Sequence, residues 1–139
     1  KWRLSRNGYA IRTEYSGRKD GRELPAVQYS IHREVMRTPA GLETDHIDHD
    51  KLNNQRSNLR SVTRGQNNMN QKKTRGSSKY KGVYLLKGSG RWRAKITINK
   101  KQINLGSFAN QTDAAIAYNI AAKNIFGEYA FLNVIDPQR

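Results

Sequence analysis

The sequence predicts an α+β protein made of two small domains, in which short antiparallel strands are combined with a few helices. Apolar residues of the 139-residue chain alternate with polar ones in short runs, as in strands, and one alanine-rich run has helical spacing. A basic stretch rich in turn residues, at positions 72–78, separates residues 1–70, with a net charge of +5, from residues 71–139, with +10. We therefore predict a first domain over residues 1–71, a basic linker over 72–78 and a second domain over 79–135.

The composition excludes several classes of function. The chain has no cysteine, so it has no disulfide-linked partner, no thiol nucleophile and no cysteine-bound zinc. No apolar run is long enough to cross a bilayer and no basic amphipathic helix suits a membrane surface, so no membrane partner is expected. The net charge of +15 instead predicts a polyanionic partner, with nucleic acid favoured. Because the chain opens at Lys1 within a predicted strand, we expect a fragment of a longer protein.

The first domain is predicted to contain five strands and two helices. Asn7-Gly8 joins the first two strands, because both residues tolerate positive φ in a hairpin turn. Ser30 is predicted to cap a short helix, which Pro39 and Gly41 end. In chain order the predicted elements are strands at 2–6, 9–13 and 26–29, a helix at 31–37, strands at 42–46 and 59–63, and a helix that ends near residue 71.

The second domain is predicted to contain three strands followed by one helix. The strands are at 80–86, 91–98 and 102–105, with hairpin connections at 88–90 and 99–101, and the helix is at 113–126. Thr112 is predicted to cap this helix, Asp113 lies near the positive end of its dipole, and Gly127 provides its C-terminal stop. The small alanine side chains allow such a helix to lie close against a sheet.

Four polar residues form a candidate catalytic site: Asp45, His46, Asn58 and Asn67. A strand ending at Asp45 and His46, and a helix started by a capping box at 63–66, can bring a carboxylate, an imidazole and an amide oxygen together. Oxygen ligands from Asp45 and Asn67 suit a hard divalent ion, Mg²⁺ or Mn²⁺. An imidazole titrates near neutral pH and suits a general base for a water that attacks phosphorus. The alternative is a polar turn region without chemistry, since such pairs and Asn-rich turns also occur by chance.

Other polar residues near this site have simpler interpretations. Arg56, Arg60 and Arg64 flank it and are predicted to hold phosphates, with solvated surface charges as the alternative. His32 is predicted to be a packed or hydrogen-bonded structural residue. The loop after His46 is not a calcium-binding EF-hand, because Leu52 stands where an oxygen ligand is required.

The segment over residues 42–67, LETDHIDHDKLNNQRSNLRSVTRGQN, resembles the HNH endonucleases, specifically the phage and intron-encoded homing type. We take residues 42–70 as the core motif. The resemblance implies a ββα-metal site in which Asp45 and Asn67 bind the metal and His46 activates water. It also implies that Asn58 holds the loop by hydrogen bonding to backbone and so keeps His46 oriented. Many HNH enzymes end the motif with His where this chain has Asn67.

The predicted strand at 91–98 has one basic face and one apolar face. Arg91, Arg93, Lys95 and Thr97 alternate with apolar residues, and the next strand adds Gln102 and Asn104 to the polar side. A sheet covered by the alanine-rich helix on its apolar side then presents a cationic surface about as wide as a major groove admits. On this surface Arg93 could pair with guanine, Gln102 or Asn104 with adenine, and the lysines with phosphate. A merely soluble outer face is the alternative.

This half resembles the AP2 DNA-binding domain, known from plant transcription factors and found in mobile HNH nucleases. The segments that carry the resemblance are SKYKGVY (78–84), RWRAKI (91–96), LGSF (105–108), DAAIAYN (113–119) and FGEYAFLN (126–133). The resemblance implies that the sheet enters the major groove, with Lys81, Tyr84, Arg91, Arg93 and Lys95 at contact positions. Tyr84 stands where plant members usually have Arg, and Asn104 where many have Trp, so their target sequence does not transfer.

Taken together, the sequence predicts a DNA endonuclease of the HNH type that uses Mg²⁺ or Mn²⁺ and that an AP2-like domain positions on double-stranded DNA. Two alternatives stay open: a DNA-binding regulator with an inactive HNH remnant, and a structural RNA-binding protein. The oligomeric state, monomer or dimer, is left open. Since no secretion signal is seen, we expect the protein in the cytoplasm of a bacterium or of a phage-infected host cell.

Overall fold

A computed structural model describes residues 1–72 and 75–135, and the chain divides into two compact units, Lys1–Asn67 and Asn68–Arg139. Each unit combines antiparallel strands with helices, which confirms the predicted α+β class. Lys73 and Thr74, within the predicted linker, lie outside the described residues, and the linker and domain boundaries stay predictions. Within the described part of the chain, none of the helices has the length and apolar character that a membrane span requires.

The strands of the first unit form three separate antiparallel sheets. The elements of this unit are β1 (Arg3–Leu4), β2 (Ala10–Glu14), β3 (Arg18–Lys19), β4 (Arg22–Glu23), β5 (Val27–Ser30), α1 (Ile31–Met36), β6 (Glu43–His46), a 3₁₀ turn (Arg56–Asn58), β7 (Leu59–Val62) and the start of α2 (Arg64–Asn70). The last three residues of α2 belong to the second unit. Strands β1, β2 and β5 form one sheet in the order β1-β2-β5, while β3–β4 and β6–β7 form two-stranded hairpins. Asp20 and Gly21 join β3 to β4 with φ values of 51° and 74°, as a two-residue hairpin turn requires.

Helix α1 begins at the predicted residue, Ile31, and ends one residue earlier than predicted. Ser30 occupies the N-cap position, as predicted, but its side chain makes no capping hydrogen bond. The helix ends at Met36 because Arg37 adopts a left-handed conformation with φ 50°. The backbone N–H of Thr38 then donates to Arg33 O, and that of Arg37 donates to Glu34 O, which is the Schellman arrangement.

Helix α2 follows directly from strand β7 through the predicted capping box. Thr63 N donates to Gln66 Oε1 (2.9 Å), and Gln66 N donates to Thr63 Oγ1 (3.3 Å), which confirms the box. Strand β7 pairs with β6 so that Arg60 lies opposite Asp45 and Leu59 lies opposite His46. Hairpin and helix therefore form the strand–strand–helix unit that carries the candidate site.

The second unit is a three-stranded antiparallel sheet covered by one helix. Its elements are β8 (Val83–Leu85), β9 (Trp92–Ile98), β10 (Lys101–Phe108), α3 (Gln111–Phe126) and a 3₁₀ turn (Gly127–Tyr129), with the strands in the order β10-β9-β8. Strand β10 is longer than predicted because a bulge between Asn104 and Gly106 allows pairing with β9 to continue to Phe108. The bulge lies at Leu105, which still packs against the core.

The core of the second unit lies between the sheet and the alanine-rich side of α3. Ala114, Ala115 and Ala122 are fully buried against Val83, Ala94 and Ile96 of the sheet. Helix α3 is capped by Asn110, whose side-chain oxygen accepts from Asp113 N (2.8 Å), so the predicted Thr112 cap is wrong. Gly127 ends the helix with φ 55°, as predicted.

Gly82, just before β8, fixes how closely helix and sheet approach. Its φ is 75°, and a Cβ at this position would lie 2.0 Å from Tyr118 Cδ2 and 2.7 Å from Lys95 O. Because any side chain would overlap both the helix residue and the strand backbone, only glycine fits.

Candidate functional site

Strand β6 places Asp45 and His46 in a buried position at its end. Asp45 is 7% exposed and His46 is 5% exposed, both well below the exposure typical of such polar residues. The cross-strand partner of Asp45 is Arg60, which donates from Nε (2.9 Å) and Nη2 (2.8 Å) to Asp45 Oδ2. This charge-assisted pair offsets part of the cost of burying the carboxylate.

The structure places the three predicted phosphate-binding arginines in different settings. Arg60 contacts Asp45, as described. Arg56 donates from Nη1 to the backbone carbonyl of Val35 (3.1 Å), and Arg64 is exposed at the start of α2. Their predicted role in holding phosphates stays a prediction, and Arg60 in addition has a clear structural role at Asp45.

The His46 ring is surrounded by side chains from three segments of the first unit. Its Nε2 lies 3.1 Å from Asn54 Oδ1. The ring centroid lies 5.3 Å from that of His32, in an edge-on arrangement, and 6.0 Å from that of Tyr9. His46 is therefore held in a defined orientation by Asn54 of the following loop and by two further side chains, Tyr9 just before β2 and His32 on α1.

Asn58 ties the loop after His46 into one hydrogen-bonded structure. Its Oδ1 accepts from Asp48 N (3.1 Å), and its Nδ2 donates to Asn53 O (2.9 Å) and Asp48 Oδ1 (2.8 Å). The backbone adds a bond from Ile47 N to Asn58 O (2.9 Å). Asn58 thus makes the backbone contacts that the HNH resemblance implies, and they include the two residues that directly follow His46.

Asp48 contributes to the same network. The hydrogen bond from Asn53 Nδ2 and then that from Asp50 N lower the pKa of Asp48, which keeps its carboxylate charged as an acceptor. The loop is therefore built on side-chain acceptors for its own backbone, as in Asx turns.

Asn67 lies on α2 and its amide is held by a residue of β6. Asn67 Nδ2 donates to Glu43 Oε2 (2.6 Å). Glu43 and Asp45 alternate along β6 and so share one face of the hairpin. Burial first, and then the charges of Asp45 and Glu43, raise the pKa of Tyr9. The structure thus gathers the predicted ligands Asp45 and Asn67 around one side of β6, with Glu43 bound to one of them.

The donor set is suited to a hard divalent cation. Asp45 offers carboxylate oxygen and Asn67 an amide oxygen, and Mg²⁺ typically takes one or two such protein ligands and completes its coordination with water and substrate phosphate. Within residues 1–72 and 75–135, no group of three or more His, Cys, Asp or Glu side chains is arranged to hold a metal ion. The fit to such an ion therefore rests on the donor chemistry of two side chains, the Asp45 carboxylate and the Asn67 amide oxygen.

Three residues of the site carry no clear sequence signal. Asn54 contacts His46, Glu43 contacts Asn67, and His32 packs on His46. Burial first, then the charges of His46 and Arg33, lower the pKa of His32 to about 4, and its Nδ1 is buried with no hydrogen-bond partner among the described residues. His32 is thus a packed residue, as predicted, but only the tertiary structure shows that it packs against His46.

The polar face of the second unit contains the residues that the strand alternation predicts. Cross-strand pairs place Gln102 opposite Thr97 and Asn104 opposite Lys95. Lys95 Nζ donates to Gln102 Oε1 (2.9 Å) and lies 4.7 Å from the centroid of the Tyr84 ring. Lys95 is therefore oriented along this surface by neighbours on both adjacent strands.

The two arginines of the face are anchored on β10. Arg91 Nη2 donates to Ser107 O (2.8 Å), and Arg93 lies directly opposite Ser107, with its Nε 3.5 Å from Ser107 Oγ. Their guanidinium groups are thus spaced along the same side of the sheet as Lys95. The contacts of these residues with nucleic acid stay predictions.

Lys81 has a different environment from the other predicted DNA contacts. Its Nζ donates to Met69 O and Gln71 O (2.7 Å each) and lies 5.5 Å from the centroid of the Phe131 ring. Burial lowers the pKa of Lys81 to about 8. Its ammonium group is therefore engaged in holding backbone of its own unit, and its predicted contact with DNA stays a prediction.

The chain is similar to nuclease sequences over most of its length. A family model described as HNH endonuclease matches residues 37–69. The uncharacterized HNH endonuclease L560 of Acanthamoeba polyphaga mimivirus is 33% identical over 142 residues, which cover 98% of this chain and 68% of that protein. No solved structure matches the chain.

Part of the chain is also similar to plant transcription factors. The AP2-like ethylene-responsive transcription factor At1g16060 of Arabidopsis thaliana is 45% identical over 64 residues, or 45% of this chain. APETALA2-like protein 2 of Oryza sativa subsp. japonica is 46% identical over 61 residues, or 42% of this chain. The chain spans only 17% and 14% of these two plant proteins.

Proposed function

The chain belongs to the HNH endonuclease family, and we propose that it is a metal-dependent DNA endonuclease of the homing or mobile-element type. The first unit hydrolyses phosphodiester bonds, and the basic face of the second unit binds double-stranded DNA. The observation that carries the proposal is the position of the HNH match, residues 37–69, which spans β6, the Asn58 loop, β7 and most of α2. The similarity to AP2-like transcription factors supports DNA as the partner.

HNH endonucleases generally use a divalent metal ion, and in this chain Asp45 and Asn67 would hold it. When bound, such an ion supplies positive charge against the scissile phosphate and the leaving oxygen. Arg60 keeps the Asp45 carboxylate in place from the neighbouring strand, and Glu43 holds the Asn67 amide through its Nδ2. The two ligands are thus oriented by partners within the same strand–strand–helix unit.

His46 is proposed to act as the general base. As the oxygen of the attacking water bonds to phosphorus, the water gives a proton to the His46 imidazole, and the bond from phosphorus to the leaving oxygen breaks. The burial of the ring and its contacts with Asn54 and His32 restrict it to one orientation. Asn58 supports this orientation because its hydrogen bonds fix the backbone of the loop that follows His46.

The second unit is proposed to bind the major groove through the polar face of its sheet. Arg93 and Lys95 alternate along β9 with apolar residues that face α3, so both cations point to one side. Arg91 directly precedes β9 and is bonded to Ser107 O of β10. Phosphate contacts from such residues supply affinity, while an arginine or amide that reaches a base edge supplies sequence preference. Gln102 and Asn104 lie beside Thr97 and Lys95 on the neighbouring strand and extend the surface.

The proposal is tested by incubating supercoiled plasmid with the protein, with Mg²⁺, with Mn²⁺ and with a chelator. We expect metal-dependent conversion to nicked or linear plasmid, loss of conversion in His46→Ala, and unchanged DNA affinity of that variant. His49→Asn is the matched control, because His49 lies in the same loop with φ 67°, a conformation that Asn tolerates, and has no role in the proposal.

The outcomes separate the proposal from its alternatives. Cleavage that persists in His46→Ala would contradict the assignment of the base. Binding of duplex DNA without cleavage in either metal would favour a DNA-binding regulator with an inactive HNH site. Preference for RNA over duplex DNA in a competition titration would favour a structural RNA-binding protein.

A further inference from the structure

The Asn54 side chain lies between the His46 ring and a backbone carbonyl of its own loop. Its Oδ1 is 3.1 Å from His46 Nε2, and its Nδ2 donates to Leu52 O (3.1 Å). The backbone N–H of Asn54 also donates to Leu52 O (2.9 Å). The amide is therefore fixed at both ends, with the ring on one side and the turn on the other.

The chemistry of these contacts decides which atom of the amide faces the ring. A backbone carbonyl can only accept, so the side of the Asn54 amide that faces Leu52 O is the NH₂ group. The other side, which faces His46 Nε2, is the amide oxygen, and an amide oxygen also can only accept. Nε2 must then carry a proton, and in the neutral imidazole the lone pair lies on Nδ1.

We propose that Asn54 is a positioning residue that holds His46 as the Nε2–H tautomer, so that Nδ1 is the atom that takes the proton from the attacking water. The catalytic part of this inference rests on the proposed nuclease function, whereas the tautomer is a property of the protein alone. Of the two ring nitrogens, only the one without a proton can act as a base.

The surrounding loop is rigid enough for Asn54 to serve in this way. Leu52 N donates to Asp50 Oδ1 (2.9 Å), Asn53 N donates to Asp50 O (3.1 Å), and Asn58 Nδ2 donates to Asn53 O (2.9 Å). These bonds hold the backbone on both sides of Asn54 in one conformation. An amide on a fixed backbone can select between two tautomers. In the Nδ1–H tautomer, two acceptor atoms, His46 Nε2 and Asn54 Oδ1, would face each other at 3.1 Å with no proton between them.

Two variants separate this role from a merely structural one. Asn54→Leu removes both the acceptor for Nε2–H and the donor to Leu52 O. Asn54→Asp keeps an acceptor for Nε2–H but loses the donor to Leu52 O, so it is expected to rescue the tautomer. Asn53→Ala is the matched control, since it removes a loop hydrogen bond to Asp48 without touching His46.

The first measurement is the ¹⁵N spectrum of the His46 ring in the metal-free full chain, at a pH where the imidazole is neutral. Wild type, Asn53→Ala and Asn54→Asp should show a protonated Nε2 and an unprotonated Nδ1, whereas Asn54→Leu should show a mixture of tautomers. An Nδ1–H tautomer in wild type, or an unchanged tautomer in Asn54→Leu, would overturn the inference.

The second measurement is plasmid cleavage by the same proteins. A general base contributes about 10²- to 10⁴-fold to a reaction rate. Because Asn54→Leu loses the bond that orients the base, we expect its cleavage rate to fall by about 10- to 100-fold relative to wild type, with unchanged DNA affinity. Asn54→Asp should recover most of the rate. Equal losses in Asn54→Leu and Asn54→Asp would show that the bond to Leu52 matters and would overturn the positioning role. No cleavage by wild type would contradict the proposed function, while the ring spectrum would still decide the tautomer.

Discussion

Removing either partner of the Asp45–Arg60 ion pair is expected to destabilise the first unit by about 3 kcal/mol. The side chains are 8% and 14% exposed, and both bonds from Arg60 reach one carboxylate oxygen. Two charges about 4 Å apart attract by about 4 kcal/mol at an effective dielectric constant near 20. Deleting one partner of a buried pair typically costs about 3–5 kcal/mol, because the other charge is left without compensation.

A double-mutant cycle isolates the interaction from the packing that each side chain provides. Asp45→Ala, Arg60→Ala and the double variant are expected to give a coupling energy of about 2 kcal/mol. Urea unfolding is followed by tryptophan fluorescence in a Trp92→Phe background, where Trp2 remains as the reporter of the first unit. This choice prevents unfolding of the second unit from contributing to the signal.

The chain provides a matched control for this cycle in a second cross-strand pair. Arg18 and Glu23 are also direct partners in an antiparallel hairpin, with Arg18 Nη2 3.2 Å from Glu23 Oε1, but their side chains are 72% and 80% exposed. Exposed pairs couple weakly, so this cycle should give at most about 0.5 kcal/mol. If the Asp45–Arg60 coupling were no larger than that of the control, burial would not be the source of its strength and the reasoning would be refuted.

Three further predictions follow from other parts of the molecule. Burial and the charges of His46 and Arg33 hold the pKa of His32 at about 4 when folded, against about 6.5 when unfolded. The unfolded state therefore binds the proton first, as the pH falls. The free energy of unfolding should be at its full value above pH 6.5 and should fall by about 1–2 kcal/mol towards pH 4, after allowance for solvent screening of the partly buried ring. A His32→Phe variant whose free energy of unfolding falls with the same slope would contradict this. Gly82→Ala should destabilise the second unit by more than about 3 kcal/mol in urea unfolding, because its Cβ would overlap Tyr118, whereas Gly88→Ala, with φ 93° and no atom within 4 Å, should cost about 1 kcal/mol. Duplex binding should weaken with salt, and replacing the Arg93 guanidinium should reduce the slope of log K against log salt by about 1 if it contacts phosphate, or leave the slope unchanged if it contacts only bases.

Local sequence patterns were sufficient to predict those features of the structure that depend on one short segment. The capping box of Thr63 and Gln66 was predictable because both partners lie in one turn of the chain. The alternation of polar and apolar residues in β9 was predictable because successive side chains of a strand point to opposite faces. Both depend on geometry within a few residues.

Local patterns failed where several residues compete for the same role. Asn110 and Thr112 are both good caps for α3, and only the extended backbone of Asn110, with φ −127° and ψ 162°, decided between them. The bulge after Asn104 also has no local signal, because it depends on how β10 continues to pair with β9 as far as Phe108. Pairing energies between strands, rather than propensities of single residues, fix such features.

The sequence by itself determined the α+β class and the residue types and spacing on which the HNH resemblance depends. Asp45, His46, Asn58 and Asn67 are close enough along the chain for a hairpin and a helix to gather them. Only the tertiary structure decided which neighbours orient these groups: Arg60 at Asp45, Glu43 at Asn67, and Asn54 and His32 at His46. The physical reason is that hydrogen bonds and burial act through space, so the partner of a polar side chain is set by the fold and not by its distance along the chain.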